Sequence, residues 1–320
     1  MTDRPFQNRD EIESQDLQEL LSQARRISWD IHGKKLHCYI PGQMVYMGTR
    51  GRYPVISLTG RACSLKCDHC VGKILEGMIP VHDVEDLMKK IRVLEDQGNV
   101  GVLLSGGSDL MGRLPWDRFI EAIARIKKES KLRISIHTGL IDTQTALALE
   151  EAGVDEALVD VIGSSDTMQN VCHLNQGLTA IEDTLNALAA TNLRLIPHIL
   201  LGLHYGKIRG EWVALETVSR YPLSSLVVVV IRPLRGTPMA RIKPPPKEEI
   251  GRFLAVARLV IPQTPMSLGC ARPFGVYRRE IDALAVEAGI NRVAIPSEVA
   301  IKKAREMKLS IEFHSTCCSF

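Results

Sequence analysis

The stretch CSLKCDHC, residues 63–70, places three cysteines within eight residues at the spacing C-x3-C-x2-C. Cys63, Cys67 and Cys70 are near enough along the chain for their thiols to bind one inorganic cluster. A cubane 4Fe–4S cluster needs a ligand for each of its four irons, so three cysteines leave one iron open to a small molecule. A site closed by four cysteines instead transfers electrons or supports the fold. This stretch therefore predicts an iron–sulfur site with one open coordination position.

The segment before the cysteines, PVISLTG at residues 54–60, has the β-branched composition of a short buried strand. A strand that leads into a loop at the mouth of an α/β barrel is where such enzymes carry their chemistry. The position of the cysteines thus favours a reactive site over a purely structural one.

Strand-like and helix-like segments alternate from residue 54 onward. Predicted strands cover residues 54–59, 100–104, 132–136, 156–162, 194–201, 225–232 and 264–269, with a weaker eighth near 291–295. Predicted helices cover residues 83–97, 115–128, 143–152, 176–190, 210–220, 246–260 and 276–288. This alternation of strands and helices, with few signs of β-hairpins, predicts the α/β class. It predicts a parallel (β/α) barrel of the TIM type, either full or near-full. An open doubly wound sheet is the alternative, but no G-x-G-x-x-G follows the first strand.

The same pattern divides the chain into three parts. Residues 1–53 form an N-terminal helix, predicted at 10–27, and a lead-in. Residues 54–296 form the barrel. Residues 297–320 form a C-terminal helix, predicted at 297–307, and a tail that contains two adjacent cysteines.

Composition narrows the classes of function. The chain has 320 residues, a formal charge of +3 and 5% aromatic residues, and it lacks the basic–aromatic patch of a nucleic-acid-binding protein. Its longest apolar run, residues 226–231, is too short to cross a membrane, and its polar N-terminus does not resemble a signal peptide. Eight cysteines in such a chain favour metal binding over disulfides, and we expect a cytoplasmic location.

The cysteine spacing after a first strand resembles the cluster loop of the radical S-adenosylmethionine (SAM) superfamily. Members often carry an aromatic residue just before the third cysteine, and His69 takes that place here. The resemblance implies a radical SAM barrel, a 4Fe–4S cluster held by Cys63, Cys67 and Cys70, and SAM bound at the open iron. A zinc knuckle or a disulfide group is the alternative, although zinc would need a fourth ligand at finger-like spacing.

One segment resembles part of the superfamily's SAM site, and a second carries a candidate ribose ligand. LLSGGSD, residues 103–109, matches a Gly-Gly-Glu-like turn that binds the SAM amino group, which implies this role for Ser105, Gly106 and Gly107. Ser108 stands where the acid of that turn is common. In LVDVIGSSD, residues 158–166, Asp160 is a candidate acceptor for the ribose hydroxyls, with an ion pair inside the barrel as the alternative.

Two later segments extend the resemblance. HILLGLHYGKIRGE, residues 198–211, is similar to the segment beside the adenine, where Gly202 would allow close approach. In IRPLRGTPM, residues 231–239, Arg232 is a candidate clamp for the carboxylate of SAM or of a substrate.

Five cysteines lie outside the cysteine loop. We expect Cys172 to be inert core, as buried single cysteines usually are. Cys38 and Cys270, with one or both of Cys317 and Cys318, are candidate ligands of an auxiliary 4Fe–4S cluster. Zinc bound by His37, Cys38, His314 and Cys317 is an alternative.

Within the superfamily, the chain resembles the biotin synthase and lipoyl synthase branch, and in particular the biotin synthase-related proteins of archaeal-type, two-protein lipoyl synthases. The segments that carry this resemblance are ISLTGRACSLKCDHC, PHILLGLHYGKIRGE, RGTPM and LGCARP, within residues 54–275. It implies a 5′-deoxyadenosyl radical that abstracts hydrogen from carbon, followed by sulfur insertion into an octanoyl chain on a carrier protein.

The implied partners are this octanoylated carrier protein, a second radical SAM protein, and ferredoxin or flavodoxin as electron donor. Two other functions stay open. One is a single-cluster radical SAM mutase, methylase or dehydrogenase that acts on a small-molecule substrate. The other is a non-catalytic iron–sulfur or zinc-binding module.

Overall fold

The computed structural model describes residues 15–320, and β-strands and α-helices alternate along most of this range. The strands are β1 (Lys35–Tyr39), β2 (Val45–Tyr46), β3 (Thr49–Arg50), β4 (Val55–Ser57), β5 (Ile79–Pro80), β6 (Gly101–Ser105), β7 (Arg133–His137), β8 (Glu156–Asp160), β9 (Arg194–Leu201), β10 (Leu226–Val230), β11 (Met266–Leu268), β12 (Arg292–Ala294) and β13 (Ser310–His314). The helices are α1 (Leu17–His32), α2 (Val84–Asp96), α3 (Ile120–Glu129), α4 (Thr143–Glu151), α5 (Ser165–Asn170), α6 (Gly177–Ala189), α7 (Glu211–Val218), α8 (Lys247–Val260), α9 (Gly275–Glu287) and α10 (Glu298–Glu306).

Eleven of these strands form one sheet in the order β13-β1-β12-β11-β10-β9-β8-β7-β6-β4-β5. Every neighbouring pair in this sheet is parallel. The central strands, such as LVVVV in β10, are buried throughout, as expected when side chains on both faces are covered. Among the described residues, β5 and β13 are the two edge strands.

The sheet curls around a set of inward-facing side chains, which we call the lumen cluster. Its buried members come from strands across the sheet, from the residue Tyr53 before β4 and from the C-terminal tail: Tyr39, Tyr53, Leu103, Leu158, Ile196, Val227, Val229, Ala294 and Cys318. A flat sheet could not bring β1, β6 and β10 into one cluster. The predicted near-full parallel barrel is therefore confirmed, with its opening between β5 and β13.

Helices cover the outer face of the sheet, where a second and larger apolar cluster lies. Helix α1 packs against α8 and begins at Asp16, whose carboxylate accepts hydrogen bonds from the backbone N–H groups of Gln18 (2.9 Å) and Glu19 (3.1 Å). The predicted helix at 10–27 thus starts later and runs on to His32, while its residues 10–14 lie outside the described part of the chain. No helix among residues 15–320 combines the length and the apolar content that a membrane span needs.

Both segments that flank the predicted barrel add strands to the main sheet. Strand β1, from the lead-in, lies between β12 and β13, and β13 comes from the C-terminal tail. The sequence pattern did not predict β1, β5 or β13, because each has at most five residues and weak alternation. The predicted weak eighth strand is present as β12.

The C-terminal tail, residues 315–320, enters the lumen at the amino ends of the strands. Ser319 Oγ donates to buried Glu156 (2.8 Å), and the carbonyl of Cys318 accepts from Ser267 Oγ (2.7 Å). The Phe320 ring lies between two guanidinium groups. The residues that contact the tail lie at or near the start of their strands: Arg133, Glu156, Arg194, Ser267 and Arg292. The tail therefore plugs the amino end of the barrel and leaves the carboxyl end open.

A buried ion pair joins β11 to the helices outside it. The guanidinium of Arg272 donates to Asp282 at 2.7 and 3.2 Å, and both side chains are fully buried. The same carboxylate accepts from the backbone N–H of Ser297 (2.8 Å), which caps α10. This arrangement anchors α9 and α10 to the barrel.

We expect Asp282→Ala to lower the free energy of unfolding by about 3–5 kcal/mol, because Arg272 would stay buried without a counter-charge. Chemical denaturation followed by circular dichroism measures this change. Glu298→Ala removes the exposed ion pair with Arg279 nearby and should cost less than about 1 kcal/mol. Equal costs for the two variants would contradict the anchoring role of the buried pair.

Candidate active site

The cysteine loop, residues 58–72, follows β4 at the carboxyl end of the barrel. The backbone N–H groups of Cys70 and Val71 both donate to the carbonyl of Cys67, at 3.0 and 2.8 Å. Cys67 and Cys70 are buried, Cys63 is partly exposed, and all three are free thiols. This tight turn directs the three side chains toward one cavity.

Asp68 fastens the cysteine loop to two other loops. Its backbone N–H donates to the carbonyl of Val171 (2.8 Å), and its carboxylate contacts His173 Nε2 (3.0 Å) and the hydroxyl of Tyr205 (2.5 Å). Hydrogen bonding to Asp68 raises the pKa of Tyr205 to about 12. The chain segments after β8 and β9 therefore hold the loop in place.

The glycine pair after β6 packs against the cysteine loop. A Cβ atom on Gly107 would lie 2.0 Å from the carbonyl oxygen of Ala62 and 2.5 Å from Cβ of Cys63. The backbone N–H of Gly107 donates to Oγ1 of Thr59 (2.7 Å). Gly107 thus permits a close approach between two loops, in addition to the approach to a ligand that the sequence predicts.

The cavity has a volume of about 290 Å³ and lies at the carboxyl ends of the strands. Its walls are mostly apolar, with leucines from several strands and loops: Leu65, Leu114, Leu140, Leu158, Leu174, Leu200 and Leu203. Leu158 also belongs to the lumen cluster, so it lies between this cavity and the tail below. The predicted site residues that line the cavity are Cys63, Cys67, His69, Cys70, Ser105, Gly106, Gly107 and Asp160.

Two histidines, His198 and the unpredicted His137, line the same cavity beside Asp160. The rings of His137 and His198 meet edge to face with centroids 5.3 Å apart, and Ser105 Oγ lies 3.5 Å from Nδ1 of His137. Desolvation, reinforced by the neighbouring His137, lowers the pKa of His198 to about 4. Desolvation also lowers the pKa of His137, so both rings are neutral at pH 7. The alternation in β7 and β9 was the signal for them, since both point inward.

Cys172 also lies in the cavity wall, where the sequence alone suggested inert core. Its thiol, the Cys67 thiol and a ring nitrogen of His69 lie within 4.8 Å of one another. The Cys67 thiol donates to the carbonyl of Cys172 (3.4 Å), and Nδ1 of His69 is buried without a partner among the described residues. Free thiols that converge on one cavity beside an unpartnered imidazole nitrogen fit a 4Fe–4S cluster held by the loop.

Two predicted cofactor-binding residues do not line this cavity. Gly202 has a left-handed φ of 79°, and a Cβ atom there would lie 2.6 Å from the ring of Pro245. Its close approach is therefore to a neighbouring loop. The guanidinium of Arg232 lies over the exposed ring of Phe274, 5.1 Å from the centroid. Sequence spacing placed both residues after the expected strands but could not show which part of the protein each residue contacts.

The structure separates the remaining cysteines. Cys38 is fully buried in the cluster on the helix side of the sheet, because residues 36 and 38 alternate with inward-facing Tyr39. Cys317 and Cys318 lie on the lumen side. Cys270 follows β11 and is an exposed residue, and desolvation of its thiol, together with the charge of Cys317, raises the pKa of that thiol. Of the four candidate ligands, Cys317 and Cys318 thus lie in the lumen with Cys270 near them, and Cys38 does not.

Arg272, two residues after Cys270, does not face the lumen. Its guanidinium turns outward to Asp282, where its charge is neutralised. Neighbouring residues of an irregular segment can point to opposite sides of a sheet, and only the fold decides which way each points.

We expect Gly107→Ala to lower the iron retained after anaerobic reconstitution by at least half, because the added methyl group would displace the backbone around Cys63. Iron and acid-labile sulfide per chain measure the effect. Gly77→Ala is the matched control, since a Cβ atom there meets nothing within 4 Å. Full iron content in Gly107→Ala would show that this contact does not position the loop.

Comparison with known proteins supports this geometry. Residues 57–208, which include the cysteine loop and strands β6 to β9, match the model of the radical SAM superfamily. The chain is 24% identical to the biotin synthase of Clostridium perfringens (strain ATCC 13124) over 257 residues, which cover 80% of this chain and 76% of the relative. It is also 24% identical to the biotin synthase of Desulforudis audaxviator, over 74% of this chain and 72% of the relative.

Two solved structures have a similar fold. Methylornithine synthase superposes with a TM-score of 0.64 at 18% identity, over 94% of this chain and 92% of that one. The FeFe-hydrogenase maturase HydG from Carboxydothermus hydrogenoformans superposes with a TM-score of 0.62 at 15% identity, over 88% of this chain and 65% of that one. The matched segment, the relatives and the open-ended parallel barrel agree. The chain carries a radical SAM domain and is related to biotin synthase.

Proposed function

We propose that this radical SAM enzyme inserts sulfur into an unactivated carbon chain, as in lipoyl cofactor formation on an octanoylated carrier protein. One observation carries the proposal: the lumen holds two further free thiols, Cys317 and Cys318, and the free thiol of Cys270 lies near enough to Cys317 for the two to interact electrostatically. The relationship to biotin synthases supports it.

When bound, the cluster and SAM supply a 5′-deoxyadenosyl radical that abstracts a hydrogen atom from carbon. Cys63, Cys67 and Cys70 would hold the cluster through their thiolates. Ser105 and Gly106 would offer backbone carbonyls to the SAM ammonium group, and the sequence resemblance assigns the neighbouring Gly107 to the same turn. Asp160 would accept hydrogen bonds from the ribose hydroxyls. This division leaves the apolar remainder of the cavity for the substrate.

The cavity walls suit an alkyl chain. Leucines from the loops and from β8 and β9 cover most of the surface, which excludes water from a reactive carbon radical. Leu158 and Leu200 continue this apolar lining toward the lumen cluster. An octanoyl chain would therefore lie in this cavity and point from the cysteine loop toward the lumen cluster, which includes Cys318.

The thiols of the tail would hold the auxiliary cluster that donates sulfur. Ser267 and Arg292 fix the tail carbonyls, so Cys317 and Cys318 are held in the lumen by β11 and β12. With Cys38 on the outer face of the sheet, the proposed ligand set is reduced to Cys270, Cys317 and Cys318. Ferredoxin or flavodoxin would supply the electron, and a second radical SAM protein would complete the other C–S bond.

A second candidate function rests on His137. Its Nε2 atom is buried without a partner among residues 15–320, although the ring lines the cavity. A buried polar atom of this kind is usually matched by a ligand group. This observation favours a small-molecule substrate with a polar group, and hence a radical SAM reaction of another type with a single cluster.

The first test uses iron and SAM cleavage together. Replacing Cys63, Cys67 and Cys70 by alanine should abolish formation of 5′-deoxyadenosine, because the thiolates that hold the cluster are lost. After anaerobic reconstitution, iron should fall from about eight to about four atoms per chain. A fall from about four to none would instead favour the single-cluster alternative, and retained 5′-deoxyadenosine formation would overturn the cluster assignment.

The second test separates the two proposed clusters. Cys270→Ala, and separately Cys317→Ala with Cys318→Ala, should lose about four irons and all sulfur-containing product while SAM cleavage continues. Mass spectrometry of an octanoylated carrier domain detects the product. Cys38→Ala is the matched control and should keep its iron, since it faces the helices. Unchanged product in the tail variant would refute a role for the tail thiols.

A further inference from the structure

Three potential metal ligands lie side by side on the two strands at the edge of the sheet. His37 on β1 pairs directly with Glu312 on β13, and His314 is two residues further along β13. Residues two apart on a strand share a face, so all three lie on one face of the sheet. They lie on the face that carries Tyr39, whose ring stacks on His314 with centroids 4.8 Å apart.

The three candidate ligand atoms cannot all form hydrogen bonds with one another, because too few of them carry a proton. Nδ1 of His37 lies 2.9 Å from Nε2 of His314 and 3.4 Å from Oε2 of Glu312. A neutral His37 can donate from Nδ1 to only one of these acceptors. At least one lone pair therefore faces another across this site.

The spacing of these atoms suits a small divalent cation. All three donor atoms lie within 4.8 Å of one another. Two ligand atoms in tetrahedral contact with one zinc ion, each about 2.0–2.1 Å from it, are about 3.3–3.4 Å apart. The distance between His37 Nδ1 and Glu312 Oε2 matches this value. The two imidazole nitrogens, Nδ1 of His37 and Nε2 of His314, need to move apart by about 0.4 Å.

The residues around the three candidate ligands are compatible with a bound metal ion. Oε1 of Glu312 lies 3.5 Å from Nζ of Lys35, which leaves Oε2 directed toward His37. Such an outer contact orients a metal-binding carboxylate. A second positive charge that acts on His37, that of Arg292, is engaged in hydrogen bonds to Ser225 and to the carbonyl of Ser319. Side-chain exposures of 28% for His37 and 42% for Glu312 leave room for a water molecule as fourth ligand.

We infer that His37, Glu312 and His314 form a zinc site that joins β13 to β1. The site is separate from the cavity at the cysteine loop, whose lining contains none of these residues. It also differs from a zinc site formed with Cys38 and Cys317, because those two thiols lie on opposite faces of the sheet. Zinc at this position would fasten the strand that leads into the tail.

The experiment uses the anaerobically reconstituted protein with its iron in place. Zinc binding is measured by competition with a chromophoric chelator, and X-ray absorption at the zinc edge identifies the ligands. The wild type should bind one zinc ion with only nitrogen and oxygen neighbours near 2.0–2.1 Å, without sulfur near 2.3 Å. His37→Ala and His314→Gln should each weaken binding at least tenfold, and Glu312→Gln about tenfold. His82→Ala, at an exposed histidine elsewhere, is the control.

Thermal unfolding distinguishes the loss of a zinc-binding side chain from damage to the fold. Zinc should raise the unfolding midpoint of the wild type and of His82→Ala but not that of His314→Gln, because only a protein that binds the ion in its native state is stabilised. Unchanged iron content and unchanged zinc-free midpoints would show that the variants are folded. Zinc affinity equal in wild type and His314→Gln, or sulfur in the zinc coordination shell, would overturn the inference.

Discussion

All eleven strands of the main sheet run in the same direction, and this constraint determines where the reactive groups can meet. In a parallel sheet that curls on itself, the carboxyl ends of the strands surround one opening. The cysteine loop after β4, the Ser105–Gly107 turn after β6 and Asp160 at the end of β8 therefore line a single cavity. They are far apart in sequence, and local folding could not assemble them.

The opposite end of the barrel is closed by the chain itself. Glu156 is buried at the start of β8 and is hydrogen bonded by Ser135 and by Ser319 of the tail. Desolvation raises the pKa of its carboxyl group, while the two hydroxyl contacts and Arg194 oppose the shift. This polar contact, together with the packing of Phe320 between arginines, offsets the loss of chain entropy on ordering the tail. The same contacts hold two thiols in the lumen.

The long apolar strands could be predicted from the sequence because burial on both faces leaves a strong signal. Strands β6 to β10 lie close to their predicted bounds. The short strands β1, β5 and β13 could not be predicted, since their stability comes from pairing with distant strands. Directions of single side chains were equally out of reach. Gly202 packs on Pro245, Arg232 stacks on Phe274, and Arg272 turns to Asp282.

The sequence by itself determined the chemistry of the cysteine loop and the parallel barrel class, because both depend on local spacing and composition. Three thiols within eight residues are close in any fold, and alternating strand and helix segments have few packing solutions. Only the tertiary structure decided which of the other polar residues join the site. It placed His137, His198 and Cys172 in the cavity, Cys38 outside the barrel, and Cys317 and Cys318 within it. The physical reason is that the curl of the sheet determines which side chains face the lumen and which face the helices. This curl depends on pairings between distant strands.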